Sequence, residues 1–213
     1  MPQSLNTVIF DFGGVLTYTM DPARENTMAD LCGFTVEQFH RAYPLNRLDL
    51  DRGSITHAEY WSRILATNRT PATPAVITQL CHEDTLCWLR ENRAAIDWSA
   101  EIRSRGIKTA ILSNMPPEIL DYMHRSNQFR WIEDFEVRIF SCDVGLVKPE
   151  PTIYNLCIEQ LGVARDECVF LDDKEVNVKA AQALGMESHL FYNIEEIKRL
   201  LEPRLREGID ARS

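Results

Sequence analysis

Short apolar runs recur along the chain, and between them apolar positions return every three or four residues. The stretch from residue 7 to Asp11, then KTAIL (108–112), VRIF (137–140), CVFL (168–171) and SHLF (188–191), have the β-branched and aromatic character of buried strands. PPEILDYMHRSN, PTIYNLCIEQLG and EVNVKAAQALG have helical spacing, and the last two end in Gly162 and Gly185, where a helix commonly stops. This alternation predicts an α/β core: a parallel sheet with helices on both faces.

Residues 20–95 break the alternation. They offer amphipathic stretches at 21–32, 35–43, 56–67 and 74–91 and no strand pattern, which predicts an α-helical insertion after the first strand. The expected domains are a core of residues 1–16 and 96–213 and a helical cap of residues 17–95. The segment after Glu202 is charged and is expected to be a mobile tail.

With 213 residues, 45% of them hydrophobic, the chain has enough apolar surface to bury a full core. A formal net charge of -9 argues against binding a phosphate backbone, so nucleic acid is set aside. The opening MPQSLNTVIF lacks a basic segment followed by a long apolar one, and no run reaches membrane-spanning length. A cytoplasmic protein without a membrane partner is expected, either monomer or homodimer. Its six cysteines contain no C-x-x-C pair and read as reduced, packed thiols.

Three of the apolar runs finish in polar residues: Asp11, then Ser113 with Asn114, then Asp172 with Asp173. The carboxyl ends of an open parallel sheet line one crevice, so these residues converge despite their separation in sequence. Two carboxylates about 4 Å apart repel by about 4 kcal/mol at an effective dielectric of about 20, and such a cluster calls for a cation. The donors are all oxygens, which favours Mg²⁺ over zinc. Lys148, in GLVKPEP, adds a fixed positive charge at another strand end. Metal, lysine and hydroxyl together suit a phosphoryl group. Taken singly, Ser113, Asp172 or Asp173 also reads as a helix cap, and Asn177 as a locally bonded helix residue.

FDFGGVL, ILSN, VGLVKPEPTIY and VFLDDKEVNVKAAQALGM, in this order, resemble the four motifs of the haloacid dehalogenase superfamily of hydrolases. The resemblance implies a Rossmann-like core. The inserted segment is similar to the helical cap of the branch that holds α-D-glucose-1-phosphate phosphatases and the amino-terminal domains of soluble epoxide hydrolases. It implies that Asp11 is a nucleophile forming an aspartyl-phosphate, and that Ser113, Asn114 and Lys148 bind the phosphoryl group. By the same resemblance, Asp11, the carbonyl of Gly13, Asp172 and Asp173 hold Mg²⁺.

Phosphatases of that family usually carry a second aspartate two residues after the nucleophile, as acid and base. Here that residue is Gly13. General acid–base help is worth about 10² to 10⁴ in rate, so the loss restricts the chemistry. The sequence accordingly reads as a phosphatase of small phosphorylated metabolites with easy leaving groups, such as anomeric sugar phosphates or acyl phosphates. Two alternatives stay open: a non-catalytic module that binds phosphate and metal, and a 2-haloacid dehalogenase. The second is weakened by the acid pair at 172 and 173 and by the absence of an aromatic residue at position 13. Tyr18, Arg47, Arg52 and His57, with Trp61, are the candidates for substrate contact in the cap, and TYTMDPARE is the expected hinge.

Overall fold

In the computed structural model, which describes residues 5–210 and side chains over 5–205, five parallel strands form one sheet in the order β3-β2-β1-β4-β5. They are β1 (Thr7–Phe10), β2 (Lys108–Ser113), β3 (Val137–Phe140), β4 (Cys168–Asp172) and β5 (Glu187–Leu190). The first strand in the sequence lies at the centre of the sheet. Successive side chains point to opposite faces, so a central strand that is apolar throughout must be covered on both. Val8 and Phe10 pack on one side and Ile9 on the other; Val169 and Leu171 are likewise opposed to Cys168 and Phe170.

The face of Val8 and Phe10 is covered by α6 (Arg93–Ser104), α7 (Pro117–Arg125) and α11 (Ile194–Asp210). Trp98 of α6 meets Phe10 edge-on at 5.7 Å. The face of Ile9 is covered by α9 (Pro151–Leu161) and α10 (Glu175–Ala183). Two short helical segments, a 3₁₀ turn at Asn127–Asp134 and α8 (Ser141–Val144), flank β3. The segment after Glu202, expected as a mobile tail, instead continues α11 as helix to Asp210. Leu201 and Leu205 are fully buried against the sheet, and that apolar anchor explains the difference; residues 211–213 lie outside the described ones.

Between β1 and α6 come α1 (Pro22–Cys32), α2 (Val36–Ala42), α3 (Arg47–Asp51), α4 (His57–Thr67) and α5 (Pro74–Cys87). They pack around their own apolar cluster, which includes Met28, Phe39, Leu50, Trp61 and Leu80. Helix α5 stops at Cys87 rather than continuing to residue 91, because Trp88 leaves helical geometry and the chain turns back toward the sheet. The outgoing and returning strands of chain then run side by side: Tyr18 N–H donates to Arg90 O, and Asn92 N–H to Leu16 O, at 2.8 and 2.9 Å. No described helix is long and apolar enough to cross a membrane.

Candidate active site

The Asp11 backbone N–H donates to Leu171 O at 2.8 Å, extending the β1–β4 ladder by one residue and fixing the acid at the sheet's carboxyl edge. One of its carboxylate oxygens accepts from the Phe12 N–H at 2.7 Å. Asp172 closes β4 beside it. Oxygens of Asp11, Asp172 and Asp173 come within 4.8 Å of one another. The turn after Asp11 brings Gly14 against Asp173. With φ of +82°, Gly14 lies in the left-handed region, and a Cβ there would overlap the Asp173 carboxyl group.

Lys148 is buried between two of these acids. Its Nζ lies 2.9 Å from Asp11 Oδ1 and 2.6 Å from Asp172 Oδ2, and donates to Leu112 O at 2.9 Å. Asp172 also accepts from the Lys174 N–H at 2.8 Å and from Asn177 Nδ2 at 3.1 and 3.0 Å. Burial works to raise the Asp172 pKa, but Lys148 and these donors override it and hold the carboxyl below its usual range. Burial also dominates at Asp11, where it outweighs Lys148 and, with the neighbouring acids, raises the pKa to about 7. Asp173 is raised as well, first by burial and then by Asp172, against the pull of Lys174.

These atoms fit a divalent cation. Three carboxylates face a single buried ammonium, so the pocket carries excess negative charge. Asp173 Oδ1 is buried without a hydrogen-bond partner, a costly arrangement unless something binds there. All donors are oxygens, which suits Mg²⁺.

Other residues singled out from the sequence are placed differently. Ser113 is buried, and the sole bond its hydroxyl makes is a marginal one to Asn114 O at 3.5 Å, which leaves it available to a ligand. Asn114 does not offer its amide as freely: Oδ1 accepts from Lys148 N–H at 2.8 Å and Nδ2 donates to Lys148 O at 2.9 Å. Its side chain therefore clamps the lysine loop. Asn177, with the plain reading of a locally bonded residue, supports Asp172 from α10.

A cleft of about 650 Å³ opens from Asp11 and Lys148 toward α3 and the turns that follow α2 and α5 at Tyr43 and Trp88. Of the cap candidates, Arg47 lines it and the others do not. Tyr18 stands at the surface with the Arg90 guanidinium over its ring at 4.5 Å. Arg52 pairs with Glu150 at 2.6 Å and with Gly145 O, tying α3 to the core. Trp61 is wholly buried in the helical cluster, as its spacing with Ile64 and Leu65 allowed. His57 is buried too, with Nε2 2.7 Å from Asp84 Oδ2 and Nδ1 3.8 Å from Glu118.

Asp84 was not singled out by the sequence. It is fully buried and gathers Arg47 Nη1 at 2.8 Å, Tyr43 Oη at 2.6 Å and His57. Burial favours a raised pKa, but Arg47, with the His57 and Tyr43 hydrogen bonds, holds the carboxyl well below the ordinary range. Trp88 donates from Nε1 to Tyr43 Oη at 3.2 Å, and its ring lies against Gly13. A Cβ at Gly13 would sit 3.2 Å from Trp88 Cε3. The indole thus crowds any side chain at position 13.

The family model of haloacid dehalogenase-like hydrolases matches residues 5–185. Over 193 residues the chain is 27% identical to Phosphatase MT3486 of Mycobacterium tuberculosis, covering 88% of each. Over 113 residues it is 34% identical to bifunctional epoxide hydrolase 2 of Mus musculus, covering 52% of this chain but 20% of that protein. A solved haloacid dehalogenase family enzyme of Bacteroides thetaiotaomicron, in complex with magnesium and inorganic phosphate, shares the fold. Its TM-score is 0.72 at 24% identity, over 92% of this chain and 99% of that one.

Proposed function

The chain belongs to the haloacid dehalogenase-like hydrolase family, as a phosphatase-type hydrolase, and from that premise we propose a Mg²⁺-dependent phosphatase of small phosphorylated metabolites with Asp11 as nucleophile. The observation that carries this reading is the meeting of Asp11, Asp172 and Asp173 within 4.8 Å around the buried Lys148, with Asp173 Oδ1 unpartnered. Asp11, Asp172 and Asp173, with the Gly13 carbonyl, would hold the ion. When bound, Mg²⁺ supplies positive charge that offsets the phosphoryl oxygens and the acids.

The remaining work falls to the chain. Lys148 holds the Asp11 carboxylate in place and offers its charge to the phosphoryl group, and the free Ser113 hydroxyl donates to a phosphoryl oxygen. An Asp11 oxygen bonds to phosphorus as the ester P–O bond breaks, and the leaving oxygen departs with the bonding pair. Water then attacks the aspartyl-phosphate, releases inorganic phosphate and regenerates the carboxylate. With glycine at position 13, the leaving oxygen takes its proton from solvent, so substrates with stable leaving groups are favoured. The buried acid cluster disfavours a 2-haloacid, whose carboxylate it would repel.

The test is phosphate release with Mg²⁺ and with chelator, from acyl, anomeric, aryl and alkyl phosphates, with Asp11→Asn as blank. Metal-dependent release absent from the blank is the expected result. Binding of phosphate without release from any of them would replace the enzyme with a phosphate-binding module.

A further inference from the structure

The cleft beyond the acids is built largely from carbon. Met20, Leu48, Trp88, Met115, Ile119 and Val176 line it. The polar ends of the aromatic wall are already engaged. Tyr43 Oη donates to Asp84 and accepts from both Arg47 and Trp88, so the phenol has no bond left to give. The Trp88 N–H is spent on Tyr43. Arg47 directs Nη1 to Asp84 and Nε to Asp51, at 2.8 and 3.0 Å, so much of its charge is matched within the protein. Lys174 remains as a polar partner at the exposed rim, but along the carbon-lined wall a leaving group rich in hydroxyls would lose its water with little return, whereas a flat apolar one would bury area against Trp88.

A second observation concerns chemistry. The Trp88 ring lies against Gly13, two residues from the nucleophile, so position 13 offers no proton donor and a Cβ there would crowd the indole. A leaving group that needs no proton meets this condition, and a phenolic oxygen, with a pKa of about 10, departs far more readily as an anion than an alkyl alcohol.

Resting on the phosphatase reading, we infer that the substrate class is the phosphate monoester of a phenol, with its ring held against Trp88. Trp88 is a specificity-determining residue that crowds position 13 and supplies the aromatic wall beside it.

Hydrolysis-inert phosphonates separate this inference from catalysis. Calorimetric titration of the wild-type protein with Mg²⁺ compares phenylphosphonate and naphthylphosphonate with 2,3-dihydroxypropylphosphonate and hexylphosphonate. The aryl compounds are expected to bind about tenfold or more tightly than the dihydroxypropyl one, with a negative heat-capacity change. They should also exceed hexylphosphonate, which can bury area but cannot stack. Trp88→Ala should cut the aryl preference to a small factor, and Leu48→Asn, at a rim position 46% exposed and thus safe for folding, should lower it in part. Equal affinity for the dihydroxypropyl compound, a preference unchanged in both variants, or no phosphonate binding overturns the inference. A preserved aryl preference with no turnover of any phosphate would sink the phosphatase reading alone. Turnover confined to sugar phosphates would sink this inference alone.

Discussion

At the scale of single residues, the site depends on where a side chain is missing as much as on where one is present. Gly13 is outside the left-handed region, so its backbone accepts a side chain, and the obstacle is Trp88 at 3.2 Å from the position of a Cβ. Gly13→Asp is therefore expected to overpack the turn and lower stability by about 1–3 kcal/mol, measured by urea denaturation. Combined with Trp88→Ala, the same substitution should cost less than the two single losses added together, since removing the indole frees the space. Strict additivity would show that the indole does not set the constraint. Asp11 and Asp172 were legible in the sequence because a polar residue closing an apolar strand has one place to go, and Lys148 because it lies in the loop after β3, before a helix that opens on proline. The clamp that Asn114 places on Lys148, 34 residues on, and the contacts of Trp88 with Tyr43 and Gly13 were not. No local pattern records such pairings.

Among the elements, α3, α4 and α5 are joined to the loop carrying Tyr43 by one buried acid. Asp84 is fully buried and bonded to Arg47, His57 and Tyr43, so Asp84→Asn leaves Arg47 with less compensation in a low-dielectric setting. Breaking such a pair costs about 3–5 kcal/mol. The folded-state pKa of Asp84 is depressed, so its stabilisation is complete above the unfolded carboxylate value of about 3.9 and fades as pH falls toward the folded one. The difference in unfolding free energy between wild type and Asp84→Asn should be full near pH 7 and shrink below about pH 4. A difference that held steady into acid would place the stabilisation elsewhere. A second expectation concerns α11: Leu205→Ala should cost about 2–5 kcal/mol in the same assay, because Leu205 is fully buried. A cost near zero would mean that the helix end is not docked. The strands were readable from short apolar runs, yet α11 was not, although Ile194, Ile197, Leu201 and Leu205 keep helical spacing, because the acidic and basic residues between them dominate the composition.

Over the whole molecule, the helical segment and the sheet meet at the mouth of the acid cluster. Ser141 links them, donating to Asp51 O and accepting from the Met115 N–H at 2.8 Å, while Arg52 reaches Glu150 and Gly145 O. These ties position Arg47, Tyr43 and Trp88 along the cleft that opens from Asp11, and in the proposed function the chemistry comes from the strand ends and the choice of leaving group from the helices. Sequence patterning conveyed where the strands and helices lie, since apolar strands and amphipathic helices separate cleanly along the chain. It did not convey which helical side chains face the cleft, because that depends on how the two layers dock. Of the cap residues chosen for hydrogen bonding or charge, Arg47 alone lines the cleft.

The central claim is that Asp11 takes up the phosphoryl group. The direct measurement is mass spectrometry of acid-quenched enzyme after brief mixing with an aryl phosphate and Mg²⁺, followed by peptide mapping. The account predicts one added phosphoryl group on the peptide carrying Asp11, absent with chelator and absent in Asp11→Asn. Steady phosphate release with no phosphoryl group on that peptide, or release that survives Asp11→Asn, would contradict it.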